Sequence, residues 1–495
     1  KINDWFKPIA DAWVNIVLYP INFSNEISIP IVLILLVLGA IFFTFRFSFV
    51  NITHFSTAIK TVRGEYDNIE NEKYESDKTK KIKEEGEVSH FQALATAVSG
   101  TVGLGNIAGV ALAITIGGPG ATFWMIVCGL IGMSTKFVEC TLGVKYRDVG
   151  SDGTVYGGPM YYISKGLKSK GFKTLGTIAA SLFAIFCIGG SFGGGNAAQS
   201  NQATIVIKNL FGYESTFAGA MIGIVLATLV GIIIIGGIKR IASVTEKVVP
   251  FMALLYILAC IYILTINFSF IDDAIALIIR EAFNPTAVGV GGIIGVLMVG
   301  FQRAAFSNEA GAGSASIAHS AVKTKYAASE GLVALLEPFI DTVVICTMTA
   351  LVIITFNSTG AFVYGGDGMG GVMIDGVMYE GAGITQKAFA QYIPGSDIFL
   401  TIAVVLFAVS TMISWSYYGL QSWKFLFGRG RVADLTYKVL FLIFVVIGAA
   451  ASMNSIWAFS DAMIFAMVFP NMIGLYFLFP IVKEQLKKYL EAIKN

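Results

Sequence analysis

Charged residues are scarce in this sequence of 495 residues: Lys, Arg, Asp and Glu together make up 13%, whereas 55% of the residues are hydrophobic. A water-soluble domain carries about 25% charged residues and could not cover so much apolar surface. The formal net charge is only +2, so no excess of either sign points to a nucleic acid or another charged macromolecule as a partner. The composition predicts a polytopic membrane protein whose main partner is the lipid bilayer.

Residues that hold metals or form disulfides are also few. The five cysteines form no C-x-x-C pair and lie in or beside apolar runs, which is typical of small buried hydrophobic residues. The sequence has no G-x-x-x-x-G-K-[ST] and no H-E-x-x-H, so an ATP-driven pump and an intramembrane metalloprotease lack support. The segment 103–108 formally fits G-x-G-x-x-A, but that fingerprint needs a preceding strand. We therefore expect no enzyme, no cofactor and no obligatory protein partner.

Apolar runs long enough to cross a bilayer recur along the chain, and we count eleven. They lie near residues 30–50, 90–116, 120–145, 174–207, 216–237, 247–267, 287–318, 328–356, 395–420, 434–452 and 457–481. If the N-terminus is outside, 25 Lys and Arg fall in cytoplasmic segments and 5 in the opposite ones. The positive-inside rule then predicts a cell-membrane protein with an external N-terminus and a cytoplasmic C-terminus. Abundant Lys, Ile and Asn suggest a prokaryotic source.

Two of these runs are interrupted by glycine-rich segments, GTVGLGN at 100–106 and FSNEAGAGS at 306–314. Without the first helix, they fall in the first and sixth of ten spans, so each repeat has five helices and the second copy is inverted. Irregular backbone at membrane depth needs protein or water to satisfy it. Free N–H groups at a helix start suit a carboxylate, and free carbonyls suit Na+. For one break, a glycine kink or close helix packing is the favoured explanation, whereas two matching breaks favour a binding site.

The predicted fold is therefore an all-α polytopic membrane protein with 11 transmembrane helices: one N-terminal helix plus a 5+5 inverted repeat with two discontinuous helices. The charged cytoplasmic loop is expected to be flexible. For the glycine-rich loop, folding over the outer face and flexible filler remain equal alternatives. The segments are 1–50 (N-terminal segment and extra helix), 51–89 (charged cytoplasmic loop), 90–267 (first repeat), 268–481 (second repeat, containing the extracellular glycine-rich loop 357–394) and 482–495 (cytoplasmic tail).

Three segments, GNIAGVALAITIGGPGATFWM, FSNEAGAGSA and STMISWSYYG, together resemble the alanine or glycine:cation symporter family. The resemblance extends over most of the chain. It implies a LeuT-like fold of the amino acid–polyamine–organocation superfamily and sodium-coupled uptake of alanine and glycine. The sequence departs from the family at Leu104, where GTGN is common, and at Ile126, where F-W-M-W is common. Leu104 places a larger apolar group beside the carboxylate site, which affects the expected substrate range.

The resemblance also implies a substrate site. Backbone N–H groups of the first break would hold the carboxylate, since glycine allows close approach. Asn106 would brace the break or approach the site, with a helix cap as the alternative. A glutamine amide would bond the substrate, and two aromatic side chains would wall the pocket; helix–helix bonding and plain packing are the alternatives. The implied substrate residues are Gly103, Leu104, Gly105, Asn106, Gln199, Phe306 and Trp415.

By the same resemblance, Na+ would bind the hydroxyls of Ser410 and Thr411 and the backbone carbonyls of Ser99, Val102 and Phe407. Uncharged oxygen ligands suit a hard cation that must leave again. The alternative is that both hydroxyls bond back to carbonyls of their own helix.

Ionisable residues inside spans are costly and tend to be functional. Lys136 and Glu139, spaced i and i+3, are expected to pair on one helix face. Arg303 and Glu309 flank the second break and are expected to brace it or gate it rather than bind substrate. Glu337 and Asp341, spaced i and i+4 on one span, are candidate partners of cations such as Arg303.

Two other functions compete with sodium-coupled symport. A proton-coupled transporter of the same fold could use a lysine in place of Na+, but the interior of the span 248–267 has no charged residue. A channel usually repeats a pore-lining element around an axis, which an inverted repeat with paired breaks does not. The sequence favours the sodium symporter over both.

Overall fold

The computed structural model describes residues 2–23, 28–71, 86–213, 215–285, 292–450 and 454–494. These residues are mostly helical. The α-helices are α1 Ile2–Val17, α2 Ile31–Arg46, α3 Val50–Thr53, α4 Phe55–Val62, α5 Asp67–Asn71, α6 His90–Thr101, α7 Ala108–Gly117, α8 Gly120–Lys145, α9 Pro159–Ser169, α10 Lys173–Phe192, α11 Ala198–Phe211, α12 Thr216–Ile234, α13 Gly237–Ile266, α14 Ile271–Phe283, α15 Gly292–Asn308, α16 Ala315–His319, α17 Ala327–Val333, α18 Leu336–Pro338, α19 Thr347–Phe356, α20 Ala382–Tyr392, α21 Ser396–Phe427, α22 Arg431–Ala450 and α23 Asn454–Ala492.

Short irregular turns connect several of these helices. Two are π-helical, Gly193–Ala197 and Phe339–Cys346, and three are 3-10 turns, Leu104–Asn106, Phe268–Phe270 and Asn357–Thr359. The strands form three antiparallel hairpins in which Ile21 pairs with Ile29, Val149 with Val155 and Met373 with Met378. They are β1 Pro20–Asn22, β2 Ser28–Pro30, β3 Asp148–Val149, β4 Val155–Tyr156, β5 Val372–Ile374 and β6 Val377–Tyr379.

Eight helical segments of the described chain are long and apolar enough to cross a membrane, or nine if the bent pair α6 and α7 is one span. The eight coincide with eight of the eleven predicted runs, although α13 begins ten residues before the predicted start. Of the other predicted runs, α2 is an apolar helix of only 16 residues, and 287–318 is divided between α15 and α16.

Large apolar side chains point outward from the peripheral helices. Phe217 and Val225 on α12 are 75% and 57% exposed, and Leu254 and Leu258 on α13 are 58% and 53% exposed. An exposed apolar surface of this extent marks contact with lipid rather than with water. The two segments that carry the glycine-rich breaks lie inside this shell, because α7 and α15 both pack against the buried helix α8.

The glycine-rich loop 357–394 is folded rather than flexible filler. It contains the hairpin β5–β6 and the helix α20, and it packs on α7. Gly365 donates its N–H to the carbonyl of Thr115 at 2.6 Å, and Thr385 donates its hydroxyl to the carbonyl of Ile107 at 3.2 Å. The segment therefore covers the end of the first interrupted helix. The expected flexibility of the charged loop falls largely on 72–85, which lies outside the described residues.

A small ion-pair cluster fixes the loop between α8 and α9. Lys165 and Arg429 both bond the carboxylate of Asp148, and the guanidinium of Arg429 lies 3.9 Å from the ring centroid of Tyr156. Partial burial raises the pKa of Asp148, but the two cationic partners outweigh it and hold that pKa below its usual value.

Candidate functional site

The first break separates α6 from α7 with a bend of 59°. At Gly103 the backbone leaves helical geometry, with φ −150° and ψ −144°. A Cβ on Gly103 would lie 2.6 Å from Oγ1 of Thr411, so only glycine allows this approach to α21. The side chain of Asn106 closes the break, because its Oδ1 accepts a hydrogen bond from the N–H of Gly103 at 2.8 Å.

The second break follows α15. Glu309 has φ +53°, and Gly311 and Gly313 have φ of +95° and +89°, a left-handed region that favours glycine. Oδ1 of Asn308 accepts the N–H of Ala310 at 3.0 Å and so fixes the backbone directly after the helix. Ser314 donates its hydroxyl to Oε2 of Glu309. Side chains of its own segment therefore hold part of the break.

Asp341, in the π-helical turn 339–346, joins the two breaks. Its Oδ1 accepts Nδ2 of Asn106 at 2.7 Å, and its Oδ2 accepts the hydroxyl of Ser307 at 2.8 Å. Thr342 donates a third side-chain hydrogen bond to Oδ2 at 2.8 Å. Asp341 is fully buried, so these contacts replace water as its hydrogen-bond partners.

A small cavity of about 20 Å³ lies between the breaks. A cavity of about 10–15 Å³ is enough for one water, so an amino acid enters only if neighbouring groups shift. Six of the seven implied substrate residues line it, and Asn106 does not. The lining residues are Gly100, Thr101, Gly103, Leu104, Gly105, Gly194, Gln199, Phe306, Glu309, Thr411, Trp415 and Ile464.

The cavity presents donors on one side and acceptors on another. Leu104 and Gly105 begin a 3-10 turn, and among the described residues no acceptor bonds their N–H groups. The N–H of Gly103, by contrast, is taken by Asn106. Gln199 donates Nε2 to the carbonyl of Gly194 at 2.9 Å, and its Oε1 is buried without a donor in the described chain. Such a buried orphan is costly unless a ligand satisfies it.

Aromatic rings bound the cavity. Trp415 is 1% exposed, and a Cβ on Gly195 would lie 2.3 Å from its ring, so the indole depends on the glycines of the 193–197 turn for space. Phe306 lies at the end of α15 and lines the same cavity. The two rings limit the size of any side chain that the cavity can accept.

The hydroxyls implied for Na+ lie where α6 meets α21. Oγ1 of Thr411 is 3.2 Å from the carbonyl of Ser99, and Oγ of Ser410 is 3.0 Å from the carbonyl of Phe407. Ser99 in turn donates its hydroxyl to the carbonyl of Ser410 at 2.7 Å. Val102, the last of the five, is fully buried at the end of α6. Thr411 also lines the cavity, so the two sets of residues share a side chain.

The ionisable residues pair differently from the sequence-based expectations. Lys136 bonds Glu337 at 3.0 Å instead of Glu139, because the side chain faces α18 across the helix interface. Glu139 accepts the N–H of Gly311 at 2.9 Å and so braces the second break. Arg303 lies 3.8 Å from Asp461 rather than beside Asp341. Sequence spacing identified the buried charges but not their partners, which come from distant helices.

The chain matches the model of a family described as the sodium:alanine symporter family, over residues 14–495. Among curated relatives, it is 39% identical over 467 residues to a sodium/alanine symporter, AgcS, of Methanococcus maripaludis, covering 94% of this chain and 95% of that protein. It is 38% identical to a putative sodium/proton-dependent alanine carrier protein, YrbD, of Bacillus subtilis, covering 82% of this chain and 81% of the relative.

The fold is shared with solved structures, of which MhsT is an example. The crystal structure of MhsT in complex with L-phenylalanine superposes with a TM-score of 0.52 at 15% identity, covering 82% of this chain and 99% of MhsT. At this identity the similarity establishes a LeuT-like fold and nothing about the substrate.

Proposed function

The chain belongs to the sodium:alanine symporter family, and on that premise we propose that it carries alanine, glycine or both into the cell together with Na+. The family is one of multi-pass membrane transporters for cation-coupled amino acid symport, not of enzymes. One observation carries the proposal for this chain. The two glycine-rich breaks meet at a buried cavity that offers, within the described chain, unpaired N–H groups, an unpaired amide oxygen and aromatic walls.

We assign the substrate carboxylate to the N–H groups of Leu104 and Gly105, because the N–H of Gly103 already has a partner in Asn106. The ammonium group is assigned to Oε1 of Gln199, for which the described residues provide no donor. A zwitterion is thereby bound without an unpaired buried charge. The small cavity and the ring of Trp415 favour a hydrogen or methyl side chain over larger ones.

We assign Na+ to the oxygens gathered between α6 and α21, with Thr411 adjoining both the cation and the substrate. Proton coupling through a lysine is the alternative. It is disfavoured because the helix that faces this region, α13, presents Met252 and Tyr256: Met252 Sδ lies 3.6 Å from Oγ of Ser410, and Tyr256 packs on Phe407. A channel is disfavoured, since transport through a cavity of about 20 Å³ requires a conformational change.

We further propose eleven spans, obtained by adding α2, the α6–α7 pair and the α15–α16 pair to the eight long apolar helices. The helices after α2 then form a 5+5 inverted repeat, divided at 90–267 and 268–481, with the N-terminus outside. In this arrangement Na+ stabilises the outward-open state, the amino acid bridges both breaks, and one bundle rocks against the other to release both solutes inside.

The test is uptake of labelled alanine into proteoliposomes with an inward Na+ gradient or a matched K+ gradient. We expect saturable uptake only with Na+, competed by glycine but not by leucine, and lost in Ser410→Ala/Thr411→Ala. Thr228→Ala is a matched control, because its hydroxyl bonds only within the exposed helix α12. Uptake that instead follows an imposed pH gradient without Na+ would move the coupling ion to H+ and remove the assigned sodium ligands.

A further inference from the structure

Six buried ionisable side chains contact one another in series, and we call this series the His–Glu chain. The proposed transport site does not use it. Each of the six side chains comes from a different helix, and none is more than 6% exposed. In order, they are Glu70 of α5, His90 of α6, Glu330 of α17, His319 of α16, Glu337 of α18 and Lys136 of α8.

Both nitrogens of each histidine face carboxylate oxygens. Nε2 of His90 lies 2.8 Å from Oε2 of Glu70, and its Nδ1 contacts Oε2 of Glu330. Nδ1 of His319 contacts Oε1 of Glu330, and its Nε2 lies 3.6 Å from Oε2 of Glu337. The central carboxylate of Glu330 is therefore shared by two imidazoles, one on each oxygen.

This geometry sets the number of protons. A neutral imidazole has one N–H and one lone pair, so it cannot donate to two carboxylates at once. Three of the four histidine–glutamate contacts are hydrogen bonds and need three protons, one more than two neutral histidines supply. The fourth, between His319 and Glu337 at 3.6 Å, is an ion-pair contact rather than a hydrogen bond, and the charge of Glu337 attracts a second additional proton. With those two protons the six groups alternate in charge and sum to zero. Without them, three carboxylates share the single cation of Lys136, and uncompensated buried charge is strongly unfavourable.

The neighbouring groups do not supply the positive charge that the three carboxylates need, and several of them add negative charge. Tyr489 of α23 donates to Oε1 of Glu70 at 2.8 Å, and Thr324 and Ser329 donate to its Oε2. On α8 and at the end of α15, the carboxyl groups of Glu139 and Glu309 and the thiol of Cys140 lie near Lys136. Beside the chain, Glu246 of α13 accepts Nε2 of Gln92.

The His–Glu chain joins one helix from each of the two segments that carry the breaks. His90 is the first residue of α6, which ends at the first break, and His319 is the last residue of α16, which follows the second break. Both helices are thereby fastened to α8, α17 and α18. In the proposed orientation this is the cytoplasmic end of the transport path.

We propose that this His–Glu chain is a two-proton site that locks α6, the cytoplasmic half of the first broken segment. Protons from the cytoplasm hold the inner side closed, and their release lets it open. The proposal takes the membrane orientation from the proposed function. In the open state water reaches the imidazoles, whose ordinary pKa is about 6.5, so they lose their protons near and above neutral pH. Acid therefore favours the closed inner side, and alkali favours the open one.

The steepness of this response is a quantitative consequence. Each proton released on opening changes the ratio of open to closed molecules tenfold per pH unit. Two protons give up to a hundredfold change per unit. Replacing one histidine limits the response to tenfold, and replacing both removes it.

The experiment is pulsed-EPR distance measurement on protein reconstituted in nanodiscs, from pH 6 to pH 9. Spin labels are placed at Phe91→Cys on α6 and Phe427→Cys on α21, two exposed positions at the proposed cytoplasmic face, after the five native cysteines are replaced. We expect the ratio of the longer-distance to the shorter-distance population to rise with pH, by more than tenfold per pH unit at the steepest point. His90→Gln should lower that slope, and His90→Gln/His319→Gln should abolish it.

His54 provides the matched control, because it is the remaining one of the three histidines in the sequence and is not a member of the His–Glu chain. Burial lowers its pKa, and His54→Gln should leave the slope unchanged. A pH-independent distance distribution in the protein with all three histidines overturns the proposal, even if the histidine variants fail to fold. An equal effect of His54→Gln overturns it as well. Loss of Na+-driven alanine uptake with an intact pH response would overturn the proposed function but not the proton site.

Discussion

Asp341→Asn is the most informative single substitution, because Asp341 bonds both helix breaks. Its carboxylate accepts hydrogen bonds from Asn106, Ser307 and Thr342. Asparagine has the same shape but replaces one acceptor oxygen by an NH2 group. Turned one way, that group faces Nδ2 of Asn106; turned the other way, it faces the two hydroxyls.

Rotating Asn106 does not remove the conflict. Its Oδ1 accepts the N–H of Gly103 at 2.8 Å, so a flipped amide would place its NH2 group against that N–H. At least one buried donor is left without an acceptor in every arrangement. The cost of one such donor is about 1–3 kcal/mol. If the strain falls on the substrate-bound geometry of the first break, alanine affinity falls about 5- to 150-fold.

The assay is equilibrium binding of labelled alanine to purified protein in saturating Na+, with thermal unfolding measured in parallel. Asp367→Asn is the control, because the same change is made on the exposed hairpin loop, where Oδ1 of Asp367 accepts the N–H groups of Met369 and Gly371. The swapped variant Asn106→Asp/Asp341→Asn restores a donor opposite an acceptor between the two side chains. Its new carboxylate also faces the backbone carbonyl of residue 341, to which Nδ2 of Asn106 donates at 3.0 Å, so only part of the affinity should return. Wild-type alanine affinity in folded Asp341→Asn would refute this reasoning.

Three further substitutions test other parts of the structure. Thr411→Ala should raise the Na+ concentration for half-maximal uptake about tenfold, the equivalent of about 1.4 kcal/mol for one lost ligand; Thr411→Ser keeps the hydroxyl and should stay near wild type. Gly195→Ala places a Cβ 2.3 Å from the ring of Trp415, so it should displace the indole and abolish alanine uptake, whereas an unchanged uptake would show that the ring does not wall the pocket. Asp148→Asn should lower Tm at pH 7 by about 1–2 °C, since its carboxylate is 37% exposed and solvent screening limits the pair to less than about 1 kcal/mol. Because the pKa of Asp148 is lowered, its stabilisation is present above the ordinary value of 3.8 and is lost as the pH falls through the folded value, so the Tm difference should vanish in acid.

The sequence by itself determined the class, most spans and the location of the breaks. Low charge and long apolar runs require a membrane, and glycine-rich segments inside such runs mark places where the helix cannot continue. The segments GLGN and FSNEAGAGS contain four of the six implied substrate residues that line one cavity, and the family resemblance added the other two, Gln199 and Trp415. Composition and local motifs suffice for these conclusions because they depend on neighbours in the chain.

Only the tertiary structure decided which side chains meet. Asp341 is 235 residues from Asn106, and nothing local to either residue indicates that one carboxylate joins both breaks. For Lys136 and Glu139, helical spacing suggested a pair, but packing between helices gave each a more distant partner. The His–Glu chain draws its six members from six helices, and its proton count becomes visible only when both nitrogens of each imidazole are seen to face carboxylates. Burial forces polar groups to find partners wherever the fold brings them, so these contacts are set by the packing of helices rather than by sequence spacing.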